Sequence, residues 1–352
     1  MSVRATLQRL NIDPYLLAIA SMVALASVLP ARGAAAAGFS QATSVVIGML
    51  FFLYGARLSR EAVVQGVSHW RLHTVILAST FVLFPLLGLG FRALSPAVLA
   101  PPLYLGLLFL CTLPSTVQSS IAFTSIAGGN VPAAVCAASA SSLIGIVLTP
   151  LIVGLLMRAH GGISLGAIEG IVAQLLLPFL AGQLARRWIG AFLSRYPAVT
   201  GLVDRGSILL IVYTAFSEGV VAGIWHQLDL VSLISIALAN VALLALVLTI
   251  TTFASRRLGF SREDEITIVF CGSKKSLAAG IPIMNVLFPA STVGPMLLPL
   301  ILFHQIQLMV CATLARRYAA RRLRCSATGR RGQRPALALA REVHSSRARH
   351  SA

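Results

Sequence analysis

Two adjacent lysines, Lys274 and Lys275, lie in the middle of an apolar stretch that is long enough to cross a membrane. They are the only lysines in the chain. A charged side chain at the centre of a spanning helix costs about 2.5–3.5 kcal/mol on insertion scales, so it is tolerated where it faces protein or a wet cavity. The pair therefore predicts a polar, positively charged site. The alternatives are a soluble loop, or lysines that reach from a helix end to the membrane surface.

The residues around the lysines predict that this helix is broken. Gly272 precedes the pair, and Gly280 and Pro282 follow it. Glycine and proline interrupt helical hydrogen bonding, so backbone groups can face a ligand. The stretch from Asp264 to Pro289 is interpreted as an interrupted membrane helix, and its candidate binding residues are Gly272, Ser273, Lys274, Lys275 and Ser276.

A second polar interruption lies between Cys111 and Asn130. Proline frees a backbone carbonyl, while hydroxyl and amide side chains supply neutral oxygens. Two broken helices that cross near the bilayer midplane would aim half-helix N-termini at an anion and carbonyls at a cation. Packing between helices is the alternative, because small polar residues also let membrane helices approach closely. The candidate binding residues are Pro114, Ser115, Thr116, Gln118, Ser119 and Ser120.

Glu218 is the only acidic residue well inside an apolar run. It is therefore the expected counter-ion for Lys274 or Lys275. A protonated, hydrogen-bonded glutamate is the alternative.

Composition places the chain among membrane proteins with several spans. Its 352 residues are 57% hydrophobic and 11% charged, with a mean hydropathy of +0.87. Soluble domains carry about 25% charged residues. No HExxH sequence, paired intramembrane aspartates or nucleophile elbow is present, so we expect no enzyme, no cofactor and no bound metal.

Ten apolar segments approach the roughly 20 residues that cross a bilayer. Ten crossings place both termini on one side. The segments are about Pro14–Pro30, Phe39–Ala56, Leu72–Phe91, Pro102–Ile126, Pro132–Met157, Leu165–Ala185, Val203–Ile224, Leu230–Ala254, Ile266–Phe288 and Thr292–Leu314.

Arginine placement predicts that both termini are cytoplasmic. With that orientation, twelve arginines before the tail fall on the inside against three on the outside, as the positive-inside rule requires. The three outside are Arg32, Arg92 and Arg158. A cleavable signal peptide is the alternative for the first segment. We interpret it as a spanning helix.

Most of the net charge lies in the C-terminal tail. Residues 316–352 hold eleven arginines and one acid, Glu342, and so carry +10 of the net +18. This composition predicts disorder and contact with anionic lipid heads, and we expect no nucleic-acid partner.

A faint internal repeat relates segments one to five with segments six to ten. Tyr54 to Val63 and Tyr213 to Val220 share a pattern, and the fourth and ninth segments share a polar interruption. An odd number of crossings per copy predicts inverted repeats, as in many secondary transporters. The expected organisation is a transmembrane domain over residues 1–320, with repeats at about 14–158 and 164–320, and a tail at 321–352.

Four stretches of the chain carry a family resemblance. They are LFFLYGARLSREAV (Leu50 to Val63), TLPSTVQSSIAFTSIAGGNVPAAV (Thr112 to Val135), ASASSLIGIVLTPLIVGLLM (Ala138 to Met157) and CGSKKSLAAGIPI (Cys271 to Ile283). These stretches resemble the bile acid:sodium symporter superfamily, and more closely its bacterial SBF-like branch, which includes the vertebrate orphan member of solute carrier family 10. The likeness covers about residues 10 to 320. It implies an all-α protein of the bacterial cytoplasmic (inner) membrane with ten helices in two inverted five-helix repeats, a panel bundle and a core bundle, with helices four and nine broken and crossed.

The resemblance also implies sodium ligands that this chain lacks. In sodium-coupled members a glutamate and a glutamine of the ninth helix and a Ser-Asn pair of the fourth help to bind sodium. An ungapped comparison places Phe270 and Lys274 at the first two positions and Ser120 and Ile121 at the pair. The carboxylate is missing, so the coupling ion stays open between sodium and the proton. A lysine ammonium at this place could substitute for a bound cation and favour an anionic substrate.

We therefore expect a secondary active transporter of small organic anions, by symport, with its substrate at the crossing of the two broken helices. A membrane regulator or scaffold without flux is the alternative. Neither substrate identity nor oligomeric state can be predicted from the sequence.

Overall fold

The computed structural model describes residues 14–57, 69–157, 172–221, 223 and 229–349, and this part of the chain is helical, with no strand. The all-helical class is therefore confirmed. The helices are α1 Pro14–Val28, α2 Ala34–Arg57, α3 Trp70–Leu94, α4 Pro101–Thr112, α5 Gln118–Ala127, α6 Val131–Leu156, α7 Leu177–Arg195, α8 Pro197–Val221, α9 Leu230–Arg257, α10 Arg262–Gly272, α11 Leu277–Leu287 and α12 Ala290–Arg349.

Some predictions concern residues outside these ranges. The loop arginines Arg4, Arg9, Arg60 and Arg158 are among them, as are the first residues of the sixth apolar segment, 165–171. The distal half of the repeat pattern in the second segment, 58–63, lies outside as well.

Six helical segments in the described residues are long and apolar enough to cross a membrane. They are Gly33–Arg57, Trp70–Leu94, Val131–Leu156, Leu230–Arg257, Arg262–Leu287 and Thr292–Arg321. Shorter apolar helices cover Leu17–Val28 and Pro101–Thr112. The chain thus has the multiple apolar spans that its composition predicts.

Side-chain caps fix where several helices begin. Asn130 Oδ1 accepts from Ala133 N at 3.1 Å at the start of α6, and Asp229 caps α9 in the same way. The Ser261 and Ser276 side chains cap α10 and α11. The first N–H groups of a helix have no partner within it, so these side chains satisfy donors that the membrane could not.

The helices pack as two groups. The first group contains α1, α2, α7 and α8. Helix α2 packs on α7, while helix α8 packs on both α1 and α2. The second group contains α3 to α6 and α9 to α12, with α12 against α4, α5 and α9. Helix α8 joins the groups by packing on α11 and α12.

Two glycines allow the closest approach in the first group. Gly55 of α2 faces the backbone of Phe179, and Gly182 of α7 faces the backbone of Phe52. A Cβ atom at either position would overlap a backbone carbonyl oxygen. Small residues at such a crossing let membrane helices pack tightly.

The predicted ninth segment lies at the centre of the second group. In Arg262–Leu287, 83% of the most apolar window is buried inside the protein, against 22–44% for the other five spans. Its two halves, α10 and α11, are separated by residues 273–276. The most charged apolar segment is therefore surrounded by protein and not by lipid.

The C-terminal helix α12 continues through Arg349. The disorder that composition predicts for residues 321–352 stays a prediction. The division of the chain into a transmembrane domain and a tail stays a prediction.

Candidate functional site

The break between α4 and α5 is caused by Pro114. Proline has no N–H, so the helical bond to the carbonyl of Leu110 cannot form, and Leu113 N bonds to Leu110 O instead at 3.2 Å. The carbonyls at the end of α4 then turn to other partners. Thr149 Oγ1 donates to Thr112 O at 2.9 Å, and Ser276 N donates to Pro114 O at 2.9 Å.

The break between α10 and α11, which contains no proline, also leaves carbonyls without a helical partner. Cys271 O accepts from Ser115 Oγ at 2.6 Å, and Phe270 O accepts from Ser120 Oγ at 3.3 Å. Hydroxyl groups of the fourth segment therefore satisfy carbonyls of the ninth. The two interruptions predicted from the sequence are in direct contact.

Lys275 lies in a set of three carbonyl oxygens. Its Nζ donates to Thr80 O at 2.7 Å, Cys111 O at 2.9 Å and Leu113 O at 2.7 Å. The side chain is 0% exposed, and the Phe84 ring centre lies 4.1 Å from Nζ. An ammonium has three donors, so the three carbonyls use all of them.

The Gln307 amide fixes the backbone of Lys275. Gln307 Oε1 accepts from Lys275 N at 2.9 Å, and Gln307 Nε2 donates to Lys275 O at 2.9 Å. The same Nε2 lies 3.1 Å from His304 Nδ1. A non-helical residue deep in the protein thus has both of its backbone groups paired.

Lys274 has far fewer partners than Lys275. Its Nζ donates to Ser119 O at 2.7 Å and lies 4.0 Å from the centre of the Phe123 ring. The side chain is 0% exposed. Because an ammonium has three donors, this group keeps capacity for further hydrogen bonds.

Hydroxyl groups cluster beside Lys274. Thr116 Oγ1 lies 2.7 Å from Ser119 Oγ and 3.1 Å from Ser120 Oγ. Ser115 N donates to Ser141 Oγ at 3.0 Å, which ties the cluster to α6. The Ser273 hydroxyl is buried without a hydrogen-bond partner. These groups can offer donors to an anion.

The helix ends make the surroundings of the two lysines differ. Cys111 and Leu113 lie at the C-terminal end of α4, where the helix dipole favours a cation. Ser119 lies in the first turn of α5, and no side chain caps that end. The N-terminal end of a helix favours an anion. Lys275 thus lies where a cation is stabilised, and Lys274 lies where positive charge accumulates.

Carboxylates do not balance the two lysines. All the hydrogen bonds of both ammonium groups in the described structure go to backbone carbonyls. Glu265 pairs instead with Arg256, at 3.0 and 3.1 Å, and accepts from Tyr318. No group of three His, Cys, Asp or Glu among the described residues could hold a metal ion.

The prediction that Glu218 is the counter-ion of a lysine is wrong. Its Oε2 is buried without a hydrogen-bond partner, and no ion pair joins it to either lysine within the described chain. Glu218 lies in the last turn of α8, in the first helix group. The lysines lie midway along the broken segment of the second group, which explains the separation.

The remaining candidate residues have different surroundings. Pro114 packs against Gly145, where an added Cβ would lie 2.6 Å from the proline ring. Gly272 faces Ser79, whose Oγ donates to Gly272 O at 2.8 Å. Gln118 is exposed.

Apolar residues surround the position where the resemblance implies a sodium-binding carboxylate. Phe270 is 0% exposed and lies between the rings of Phe123 and Tyr318, with centroid distances of 6.1 and 6.2 Å. The Phe270 side chain has no oxygen atom, so it cannot supply the carboxylate ligand.

Sequence reasoning missed several residues of the site. Ser79 and Thr80 lie in a π-helical turn, Ser79–Leu83, for which the sequence has no signal. Gln307 did have one, because His304, Gln305 and Gln307 are polar residues inside an apolar segment. Amides inside a membrane helix usually bond across helices.

A helical chain with several apolar spans and a buried polar contact between two broken helices belongs to the multi-pass integral membrane proteins. Residues 13–320 match the model of the SBF-like CPA transporter family, and the chain belongs to that family. This is a family of transporters and not of enzymes, as expected.

Relatives cover most of the chain. An uncharacterized protein of Pseudomonas aeruginosa is 60% identical over 313 residues, 88% of this chain and 94% of the relative. The "Putative symporter YfeH" of Escherichia coli is 57% identical over 308 residues, 87% of this chain and 93% of the relative. The "Sodium/bile acid cotransporter 7-A" of Xenopus laevis is 28% identical over 316 residues, 88% of this chain and 92% of the relative.

Proposed function

We propose that this protein is a secondary active transporter of organic anions, and that the substrate binds beside Lys274 where the two broken helices meet. One observation carries the proposal: a buried ammonium with a single hydrogen bond and no carboxylate partner. Burial of an unpaired charge is costly, so a bound anion would stabilise this site. Hydroxyl donors and the uncapped start of α5 lie beside it.

The proposed architecture has ten crossings in two inverted five-helix repeats. The group of α1, α2, α7 and α8 would be the panel bundle, and the other helices the core bundle. Both lysines are fully enclosed, so the present conformation is occluded, and movement of one bundle against the other would expose the site to each side in turn. The reciprocal bonding of the two breaks supports this plan. Cytoplasmic termini follow from the arginine pattern. The bacterial relatives support a place in the bacterial inner membrane.

Sodium coupling through the family's ligand positions is not part of the proposal. Phe270 and Lys274 occupy the two ninth-helix positions, and neither side chain has an oxygen atom that could bind sodium. Transport is therefore either independent of sodium or coupled to protons.

The substrate class follows from the charge of the site. An amphipathic carboxylate or sulfate fits an ammonium beside aromatic rings, and relatives are named sodium/bile acid cotransporters. Small keto or hydroxy acids carry the same anionic group and belong in the same test.

Flux through proteoliposomes tests the proposal. Wild-type protein should take up a radiolabelled organic anion when choline replaces sodium, and Lys274→Gln should lose at least ten-fold in rate. Arg92→Gln, which removes an exposed cation on α3, serves as the matched control and should transport normally. Uptake that requires sodium and tolerates Lys274→Gln would contradict the proposal. Absence of flux for every anion by the folded protein would favour a regulator or scaffold.

A further inference from the structure

The three carbonyl oxygens around Lys275 Nζ, from Thr80, Cys111 and Leu113, form a set that we call the carbonyl cage. Three oxygens at 2.7–2.9 Å with no anionic ligand form an arrangement that proteins use for monovalent cations. Here the group inside the cage is the ammonium of Lys275, which is part of the chain itself. Its three N–H donors equal the three carbonyl acceptors in number.

The cage oxygens exist because helices are interrupted at each of them. Cys111 O and Leu113 O lie at the end of α4, and the residue that would bond to Cys111 O in a continuous helix, Ser115, donates to Ser141 Oγ instead. Thr80 O lies in the π-helical turn of α3. Such turns are frequent at functional sites. Without the ammonium these oxygens would be buried and unpaired, which is costly in a membrane protein.

The backbone of Lys275 is held as firmly as its ammonium. Gln307 pairs with both its N–H and its carbonyl, and the neighbouring Ser276 N bonds to Pro114 O. The side chain therefore joins α3, α4 and the break before α11. Lys274, one residue away, bonds to one carbonyl.

We propose that the carbonyl cage is a monovalent-cation site that the chain fills with the ammonium of Lys275. The two lysines then have different roles: Lys275 is a positioning residue that holds the two breaks together, and Lys274 contacts the substrate. The inference deepens the proposed function and rests on it for one consequence, that transport needs no free alkali cation. The existence of the cage site itself can be tested without transport.

Removal of the Lys275 side chain should turn the cage into a site for free cations. Lys275→Ala leaves the oxygens and opens space beside them, so ammonium or methylammonium can enter. Lys275→Met fills that space with an apolar chain of similar length and offers no site. Lys274→Ala is the matched control, since it removes an ammonium that has one carbonyl partner.

The measurement is the thermal unfolding midpoint of detergent-purified protein in choline chloride with methylammonium, ammonium, sodium or potassium added. Lys275→Ala should gain about 2–4 °C as methylammonium or ammonium saturates it. Wild type, Lys275→Met and Lys274→Ala should show no such gain. Equal shifts in all four proteins, or no shift in a folded Lys275→Ala protein, would overturn the proposal.

If Lys275→Ala does not fold in any of these salts, amine labelling of the wild-type protein tests the proposal instead. The chain has two lysines, so mass spectrometry can follow each of them separately. Lys274 should react at least ten-fold faster than Lys275 in the native protein. Equal rates would overturn the proposal. A cation-dependent Lys275→Ala protein together with a wild type that moves no anion would leave the cage site intact and refute the proposed function.

Discussion

Replacement of Gln307 by leucine should destabilise the protein strongly. The amide makes two hydrogen bonds of 2.9 Å to the backbone of Lys275. Leucine would leave one buried donor and one buried acceptor unpaired, at about 1–3 kcal/mol each. The expected loss is therefore about 2–6 kcal/mol.

Gln305→Leu provides a matched control on the same helix. The Gln305 Oε1 atom is buried with no hydrogen-bond partner, so its removal should be neutral or stabilising. Unfolding of both variants by sodium dodecyl sulfate in mixed micelles, followed by circular dichroism, gives the comparison. A Gln307→Leu loss under 0.5 kcal/mol, or equal losses for the two variants, would refute the reasoning.

Three further predictions concern packing and polar contacts. Gly182→Ala should cost about 1–3 kcal/mol of unfolding free energy because its Cβ would overlap the backbone of α2, whereas Gly206→Ala has open space and should gain about 0.5–1 kcal/mol. Denaturation in mixed micelles measures both variants, and equal effects would contradict the close approach. Ser115→Ala removes the donor to a buried carbonyl and should cost about 1–3 kcal/mol, while Ser44→Ala on an exposed face should cost under 0.5 kcal/mol by the same assay. Glu265→Gln should lower the free energy of unfolding by about 1 kcal/mol in low salt and by less in 1 M salt, since its partner Arg256 is 62% exposed. A loss of stability that does not change with salt would contradict an ionic contribution.

The helical fold and the two breaks could be predicted because local chemistry specifies them. Apolar length predicts spans, Pro114 ends α4, and Gly272 ends α10 two positions before Lys274. The contact between the breaks was expected because both segments carry polar residues at their centres. The hydrogen bonds from Ser115 and Ser120 to α10 carbonyls show that contact in detail.

The roles of individual residues were harder to predict because they depend on the packing of distant helices. The sequence cannot distinguish Lys274 from Lys275, since both are lysines in the same break, and their difference arises from the carbonyls that each one meets. The sequence predicts Glu218 as their counter-ion because it lies well inside an apolar run, but Glu218 belongs to the other helix group. Thr80 contributes a backbone oxygen, so its side chain gives no signal at all.

The most direct test of the central claim is thermal unfolding of the detergent-purified protein in sodium-free buffer with a panel of organic anions. A ligand at 100 times its dissociation constant adds about 2.7 kcal/mol to stability. We expect at least one carboxylate or sulfate to raise the unfolding midpoint of the wild type, and Lys274→Gln to abolish that rise. A midpoint that responds to sodium alone, or an anion response that survives Lys274→Gln, would contradict the account.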